Sequence, residues 1–172
     1  MKKLETSRLI LRDWQKTDVN DLFDIMKDPY VCIGGWNPHS TIEISNDVLK
    51  EYIESSDRWA IELRESKKVI GCIRLYPDNN RGKLKAKMMN FVLNKNYQGN
   101  GYMTEAVKRV VKYVFEDLDI ELLSAFHYPE NIKSKKVLEN CGFEYEITIP
   151  QGCTRVDGKR FDSICYCISK FR

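Results

Sequence analysis

Apolar positions along the chain switch between a period of two and a period near 3.6, and those switches mark out its elements. Arg8 to Arg12 alternates as a strand. Thr17 is then placed to cap a helix whose Val19, Leu22, Phe23 and Met26 share one side. After a loop, Gly34-Gly35-Trp36-Asn37-Pro38-His39, Ser40 with Glu43 reads as a capping box. It opens a second helix with Ile44, Val48, Leu49 and Tyr52 on one face. Trp59, Ile61 and Leu63 alternate, Val69 to Leu75 forms a second run, and Asp78 to Gly82 turns the chain into a third from about Lys85 to Leu93. These three runs predict an antiparallel meander.

From Thr104 to Leu118 a wide apolar stripe of Ala106, Val107, Val110, Val111, Val114 and Phe115 predicts the clearest helix, with a sheet beneath it. A strand over Leu122–Tyr128 and a helix over Ile132–Asn140, closing at Cys141-Gly142, come next. Tyr145–Ile149 and Phe161–Ser169 predict a last hairpin through Asp157-Gly158. The expected architecture is a single domain over residues 1–172, mixed α/β (α+β), with a mostly antiparallel sheet flanked by helices.

Composition narrows the function classes. With 42% apolar and 31% charged residues, the 172-residue chain has the make-up of a folded domain rather than a disordered one. Its 28 Lys and Arg against 25 Asp and Glu leave a net charge of +3, too small to name nucleic acid or a membrane surface as partner. The start, Met1-Lys2-Lys3-Leu4-Glu5-Thr6, has no apolar stretch behind its basic residues, and no later span is apolar for long enough to cross a bilayer. The reading is a cytoplasmic protein whose six cysteines stay reduced. No Cys-x-x-Cys occurs and the two histidines, His39 and His127, stand far from any ligand cluster, so no metal is expected.

The most informative segment is Tyr97-Gln98-Gly99-Asn100-Gly101-Tyr102-Met103-Thr104, between the third meander strand and the strongest helix. Strand, glycine turn and helix make an anion-binding geometry. Gly99 and Gly101 allow successive N–H groups to share one concavity, and the helix N-terminus adds partial positive charge. A plain connecting turn is the bland alternative. The absence of Lys-Ser/Thr and of a third glycine argues against nucleoside triphosphate or dinucleotide binding. A second segment, Asn131-Ile132-Lys133-Ser134 through Cys141-Gly142-Phe143, follows a strand directly.

Together the two segments resemble the GCN5-related N-acetyltransferase (GNAT) superfamily. Gln98, Gly99, Asn100 and Gly101 match its pyrophosphate turn, with Met103 where Gly or Ala is usual. Asn131, Ser134, Gly142 and Phe143 match the helix beside the pantetheine arm. The opening Leu4–Arg12 and the closing Asp157-Gly158-Lys159…Asp162 look like the RimJ/RimL-type branch, which acetylates ribosomal-protein N-termini. The resemblance implies a splayed central sheet and acetyl-CoA as cosubstrate. Phe91, Val92, Leu93 and Asn94 would bind the pantetheine arm through their backbone, and Gln98 to Thr104 with Asn131 and Ser134 would complete the cofactor site. It also implies direct attack of a neutral primary amine on the thioester, the amine being a protein N-terminus or a small molecule.

Candidates for the proton transfers are Asn90, His127, Tyr128 and Ser134, because the strand Lys87-Met88-Met89-Asn90-Phe91 lacks a carboxylate. Each has an ordinary alternative: a polar residue at the splay, a structural histidine, a packing tyrosine, a helix cap. Trp36 and His39 border the acceptor side in this family and equally suit a core cover. Glu105 reads as a helix-dipole partner; Cys141, Cys165 and Cys167 read as packing residues. An acyl-CoA-binding regulatory module without turnover is the alternative function. Monomer and homodimer both fit.

Overall fold

The protein, represented by a computed structural model, is described over residues 1–31, 36–155 and 158–171. Gly34 and Gly35 of the expected loop and Asp157 of the expected hairpin turn lie outside these residues, as does Cys32. The strands are β1 (Leu4–Glu5), β2 (Leu9–Arg12), β3 (Arg58–Leu63), β4 (Val69–Pro77), β5 (Ala86–Leu93), β6 (Leu122–His127), β7 (Glu144–Thr154) and β8 (Arg160–Ser169). They form one sheet in the order β1-β2-β3-β4-β5-β6-β8-β7. The helices are α1 (Val19–Met26), α2 (Ile42–Ser55), α3 (Tyr102–Glu116) and α4 (Ile132–Asn140).

The expected meander is present: β3, β4 and β5 pair antiparallel in chain order. β5 and β6 are parallel, because α3 carries the chain back from the end of one to the start of the other. That pairing is short. It joins Ala86, Lys87 and Met88 to Leu122, Leu123 and Ser124 and then ends, so the sheet splays between β5 and β6 from Met89 onward.

Strands β3 to β5 are apolar on both faces because both faces are covered. On one, Ile61, Ile73, Met89 and Leu123 pack against Ala106, Val107, Val110 and Val114 of α3 and Leu138 of α4. On the other, Ala60, Cys72 and Val92 pack against Leu22, Ile25, Leu49 and Tyr52 of α1 and α2. Alternation along β5 therefore sends Met89 and Phe91 toward α3 and α4, and Val92 toward α1 and α2.

Several local expectations shift. Thr17 lies within a 3-10 turn, Lys16–Asp18, rather than capping α1; Asp18 accepts there from the Gln15 N–H at 2.8 Å. Thr41, not Ser40, caps α2, its Oγ1 accepting from the Ile44 N–H, because the helix starts one residue later. Helix α3 begins at Tyr102 and ends at Glu116, ahead of the expected Thr104 and Leu118. β6 ends at His127, and β7 continues past Ile149 to Thr154 through two register shifts. Among the described residues no helix is long and apolar enough to cross a membrane, and no group of His, Cys, Asp and Glu is arranged to hold a metal ion.

Candidate functional site

The glycine turn is built as a donor cradle. Past β5, Asn94 opens a short 3-10 turn, accepting from the Asn96 N–H at 3.0 Å and donating to the Asp24 carbonyl at 3.1 Å. Gly99 (φ +84°) and Gly101 (φ +76°) then both adopt the left-handed conformation, which a Cβ would strain. Gly101 caps α3 without a side-chain partner, and the first helical bond is Glu105 N–H to Gly101 O. The N–H groups of Tyr102, Met103 and Thr104 thus precede the helix's own bonding and point along its positive end. The Met103 side chain enters the core, so this departure from Gly or Ala does not bulk the turn.

Arg8 holds this turn from below. Its Nη1 donates to the Asn100 carbonyl at 3.0 Å, its Nε donates to Glu105 at 2.6 Å, and its guanidinium lies 4.6 Å from the Tyr102 ring centre. Burial alone would raise the Glu105 carboxyl, but hydrogen bonds from Thr6, Arg8 and Ser7 outweigh it and keep the group below its ordinary value. Glu105 is therefore a tertiary anchor as well as a first-turn acid. No spacing pattern signalled this, since the partners are 97 residues apart.

The turn opens onto the strand gap. The Asn94 N–H donates to Ile70 O at 2.8 Å, which places Asn94, and by alternation Val92 and Asn90, in the ladder with β4. The backbone polar groups of Phe91 and Leu93 consequently face the gap, where the expectation had run evenly from Phe91 to Asn94. Gln98 bridges its mouth, donating to Leu93 O at 3.1 Å and accepting from Lys133 Nζ at 2.8 Å. Asn131 caps α4 through the Ser134 N–H at 3.1 Å, while the Ser134 Oγ has no hydrogen bond among the described residues.

The catalytic candidates separate by face. Asn90 shares the α1–α2 face with Val92, and its Oδ1 is buried without a partner among the described residues. Tyr128 packs edge-on against Phe126 and Phe161. His127, in step with Leu123 and Ala125, lies toward α3 and α4 against the Tyr166 ring. Its Nδ1 is 2.7 Å from the Tyr128 carbonyl and therefore donates, leaving the buried Nε2 without a partner among the described residues.

On the loop between α1 and α2, Trp36 is half-buried and meets Tyr52 edge-on at 6.4 Å. His39 is buried, its Nδ1 2.8 Å from Ser45 Oγ and its N–H on Met26 O, so it ties the loop to α1 and α2. Desolvation lowers its pKa. Burial pushes the Cys72 thiol up to about 12 and the Cys141 thiol up to about 11, so neither is a nucleophile at neutral pH. A separate groove of about 730 Å³ between the end of α3 and the start of β7 contains none of these residues.

A sequence profile of the acetyltransferase (GNAT) domain matches residues 8–144. The chain belongs to the GNAT acetyltransferase family. Membership makes it an acetyl-CoA-dependent acyltransferase. It is 32% identical over 111 residues to a Bacillus subtilis protein named "Probable N-acetyltransferase YjcK", covering 62% of this chain and 61% of that relative's length. It is 26% identical to the uncharacterized N-acetyltransferase YoaA of the same species, covering 98% and 97% of the two chains. Among solved structures, a GNAT-family acetyltransferase from Bacillus anthracis superposes with a TM-score of 0.88 at 20% identity, covering 99% of this chain and 100% of that one. The ribosomal-protein-S5-alanine acetyltransferase of Vibrio fischeri gives 0.81 at 21% identity, over 98% and 97%. Microcin C7 self-immunity acetyltransferase MccE, solved with acetyl-CoA and AMP, gives 0.79 at 17% identity, over 95% and 93%. These likenesses concern the fold.

Proposed function

We propose that the protein transfers an acetyl group from acetyl-CoA to a primary amine by direct attack in a ternary complex. The observation that carries this reading is the cradle of free N–H groups at Tyr102, Met103 and Thr104, opening onto the unpaired edge of β5. A pyrophosphate suits the cradle, an extended amide-bearing arm suits the backbone of Phe91 and Leu93, and Ser134 Oγ is free to donate. MccE, of like fold, was solved with acetyl-CoA, which supports the same cosubstrate here.

Acetyl-CoA supplies the thioester carbonyl. A backbone N–H of the β5 edge stabilises the oxygen on which charge develops. His127 Nε2 takes the proton the attacking amine must lose, through water crossing the strand gap. Asn90 Oδ1 orients the amine or that water. The C–N bond forms, the C–S bond breaks, and Tyr128 or Ser134 returns a proton to the departing thiolate. No covalent enzyme intermediate is needed. The likeness to a ribosomal-protein acetyltransferase and the opening Leu4–Arg12 support the RimJ/RimL-type branch, acting in the cytoplasm.

Calorimetric titration with acetyl-CoA, followed by thiol release across amines and N-terminal peptides, tests the reading. Binding with release supports it. Binding without release from any amine favours the regulatory module, and absence of binding overturns the reading.

A further inference from the structure

We infer that Arg81 and Glu146 are positioning residues that fix how the two halves of the sheet part, and so align the thioester with the groups that move its protons; this rests on the acetyl-transfer reading. One half, β1 to β5, ends on the edge offered to the cosubstrate arm. The other, β6 to β8, carries His127 and leads into Tyr128.

The two faces of the sheet join these halves differently. Under α3 and α4 one apolar cluster runs across the split, from Ile73 and Met89 to Leu123, Ala125 and Tyr166. Under α1 and α2 the apolar cluster stops at β5, with no member from β6, β7 or β8 among the described residues. Ser124 alternates with Leu123 and Ala125 and so lies on this second face. It stands opposite Met88, at the last rung before the strands part.

A chain of polar contacts crosses the split here. Ser124 Oγ donates to Asp78 Oδ2 at 2.6 Å, and Arg81 Nε donates to the same oxygen at 3.1 Å. Arg81 Nη1 and Nη2 then donate to the two oxygens of Glu146 at 2.5 and 2.6 Å. Asp78 and Arg81 belong to the β4–β5 connection and Glu146 to β7, so the fork reaches past β6 and β8 to the far edge of the sheet. Glu146 is the residue passed over where the β7 register shifts between Tyr145 and Ile147, and such a bulge re-aims a side chain. The Arg81 and Glu146 side chains are 23% and 29% exposed, whereas Lys85 and Asp119, paired at the foot of β5 and β6, are 62% and 68% exposed and contribute little. A two-bond fork also fixes orientation, which a single point contact does not.

In the proposed reaction one half holds the cosubstrate arm and the other holds the proton-transfer groups. A small rotation between them misplaces the reacting atoms without loosening the hold on CoA, and a misplacement of about 1 Å can cost about 100-fold in rate.

The test compares Glu146→Gln, Arg81→Gln and the double variant with the native protein, using acetyl-CoA and the amine that gives the native protein its fastest thiol release, and follows urea unfolding of each. Each single variant is expected to lower kcat about 10-fold or more while the KM for acetyl-CoA stays within about 2-fold. The double variant should lose no more than the poorer single one, since both break the same bridge. A bridge that only stabilised the fold would lower the urea midpoint and leave kcat of the folded enzyme unchanged, which overturns the inference. A risen KM with kcat intact, or losses that multiply in the double variant, overturns it too, and in all three cases acetyl transfer stands. If the native protein binds acetyl-CoA and releases no thiol with any amine, the acetyl-transfer reading falls and this inference with it.

Discussion

Arg8 and Asn100 are joined by a 3.0 Å hydrogen bond from guanidinium to carbonyl, so the residue just ahead of β2 fixes the turn that leads into α3. Under the proposed function Arg8 is a positioning residue for a phosphate it need not touch.

Arg8→Gln is accordingly expected to raise the KM for acetyl-CoA by about 10-fold while leaving kcat at saturation nearly unchanged, since it loosens ground-state and transition-state binding alike. Steady-state kinetics with acetyl-CoA as varied substrate decide it. A fall in kcat with KM unaltered would place Arg8 elsewhere in the reaction.

Gly101→Val forces a β-branched residue to φ +76° and sets a Cβ 3.6 Å from Arg8 Nη2. Left-handed strain costs about 1–3 kcal/mol, and the methyl groups also occupy the mouth of the cradle. Calorimetry should show acetyl-CoA affinity falling well beyond the loss seen with Gly99→Ala, where a Cβ meets nothing within 4 Å. Equal affinity in the two variants would remove the phosphate from this turn.

His127→Gln is expected to lower kcat by about 100-fold or more with acetyl-CoA affinity intact, as for loss of a general base. Asn90→Ala and Tyr128→Phe, measured alongside, apportion the amine and thiolate roles. If His127→Gln keeps full kcat, water carries the proton.

The Glu105 carboxyl sits below its ordinary value of 4.5 in the folded protein. As pH falls, the unfolded chain takes up its proton first, so the stability this group contributes is complete above the unfolded value and is lost as pH drops through the folded one. Urea midpoints compared between about pH 6 and about pH 3.5 should fall less in Glu105→Gln than in the native protein. An identical fall in both would show that Glu105 contributes nothing to acid sensitivity.

Ser124 donates to Asp78 Oδ2 at 2.6 Å, buried, at the last rung before β5 and β6 part. Ser124→Ala removes one partner of a buried carboxylate that also accepts from Arg81 and the Asn80 N–H. A loss of about 1–3 kcal/mol in denaturant unfolding is expected. A loss below about 0.5 kcal/mol would mean that Arg81 and Asn80 satisfy Asp78 alone.

Most of the elements were legible because their causes are local. The Ala106–Val114 stripe demands a helix wherever the chain goes, and the runs at Trp59, Val69 and Lys85 demand strands joined by tight turns. Element ends moved where a neighbour one residue away competed for the same role, as Thr41 did with Ser40. The path of β7 past Ile149 was hidden because its register shifts are set by pairing with β8.

The sequence by itself determined the glycine turn and the helix behind it, because backbone freedom and apolar period are properties of a few adjacent residues. Tertiary structure decided the rest. Where β5 and β6 part, which backbone groups face the gap, and which sheet face Asn90 and His127 occupy all follow from strand pairing. The partnerships of Arg8 with Asn100 and of Arg74 with Asp57 exist only after the chain has folded back on itself, since hydrogen bonds and ion pairs form across space without regard to order along the chain.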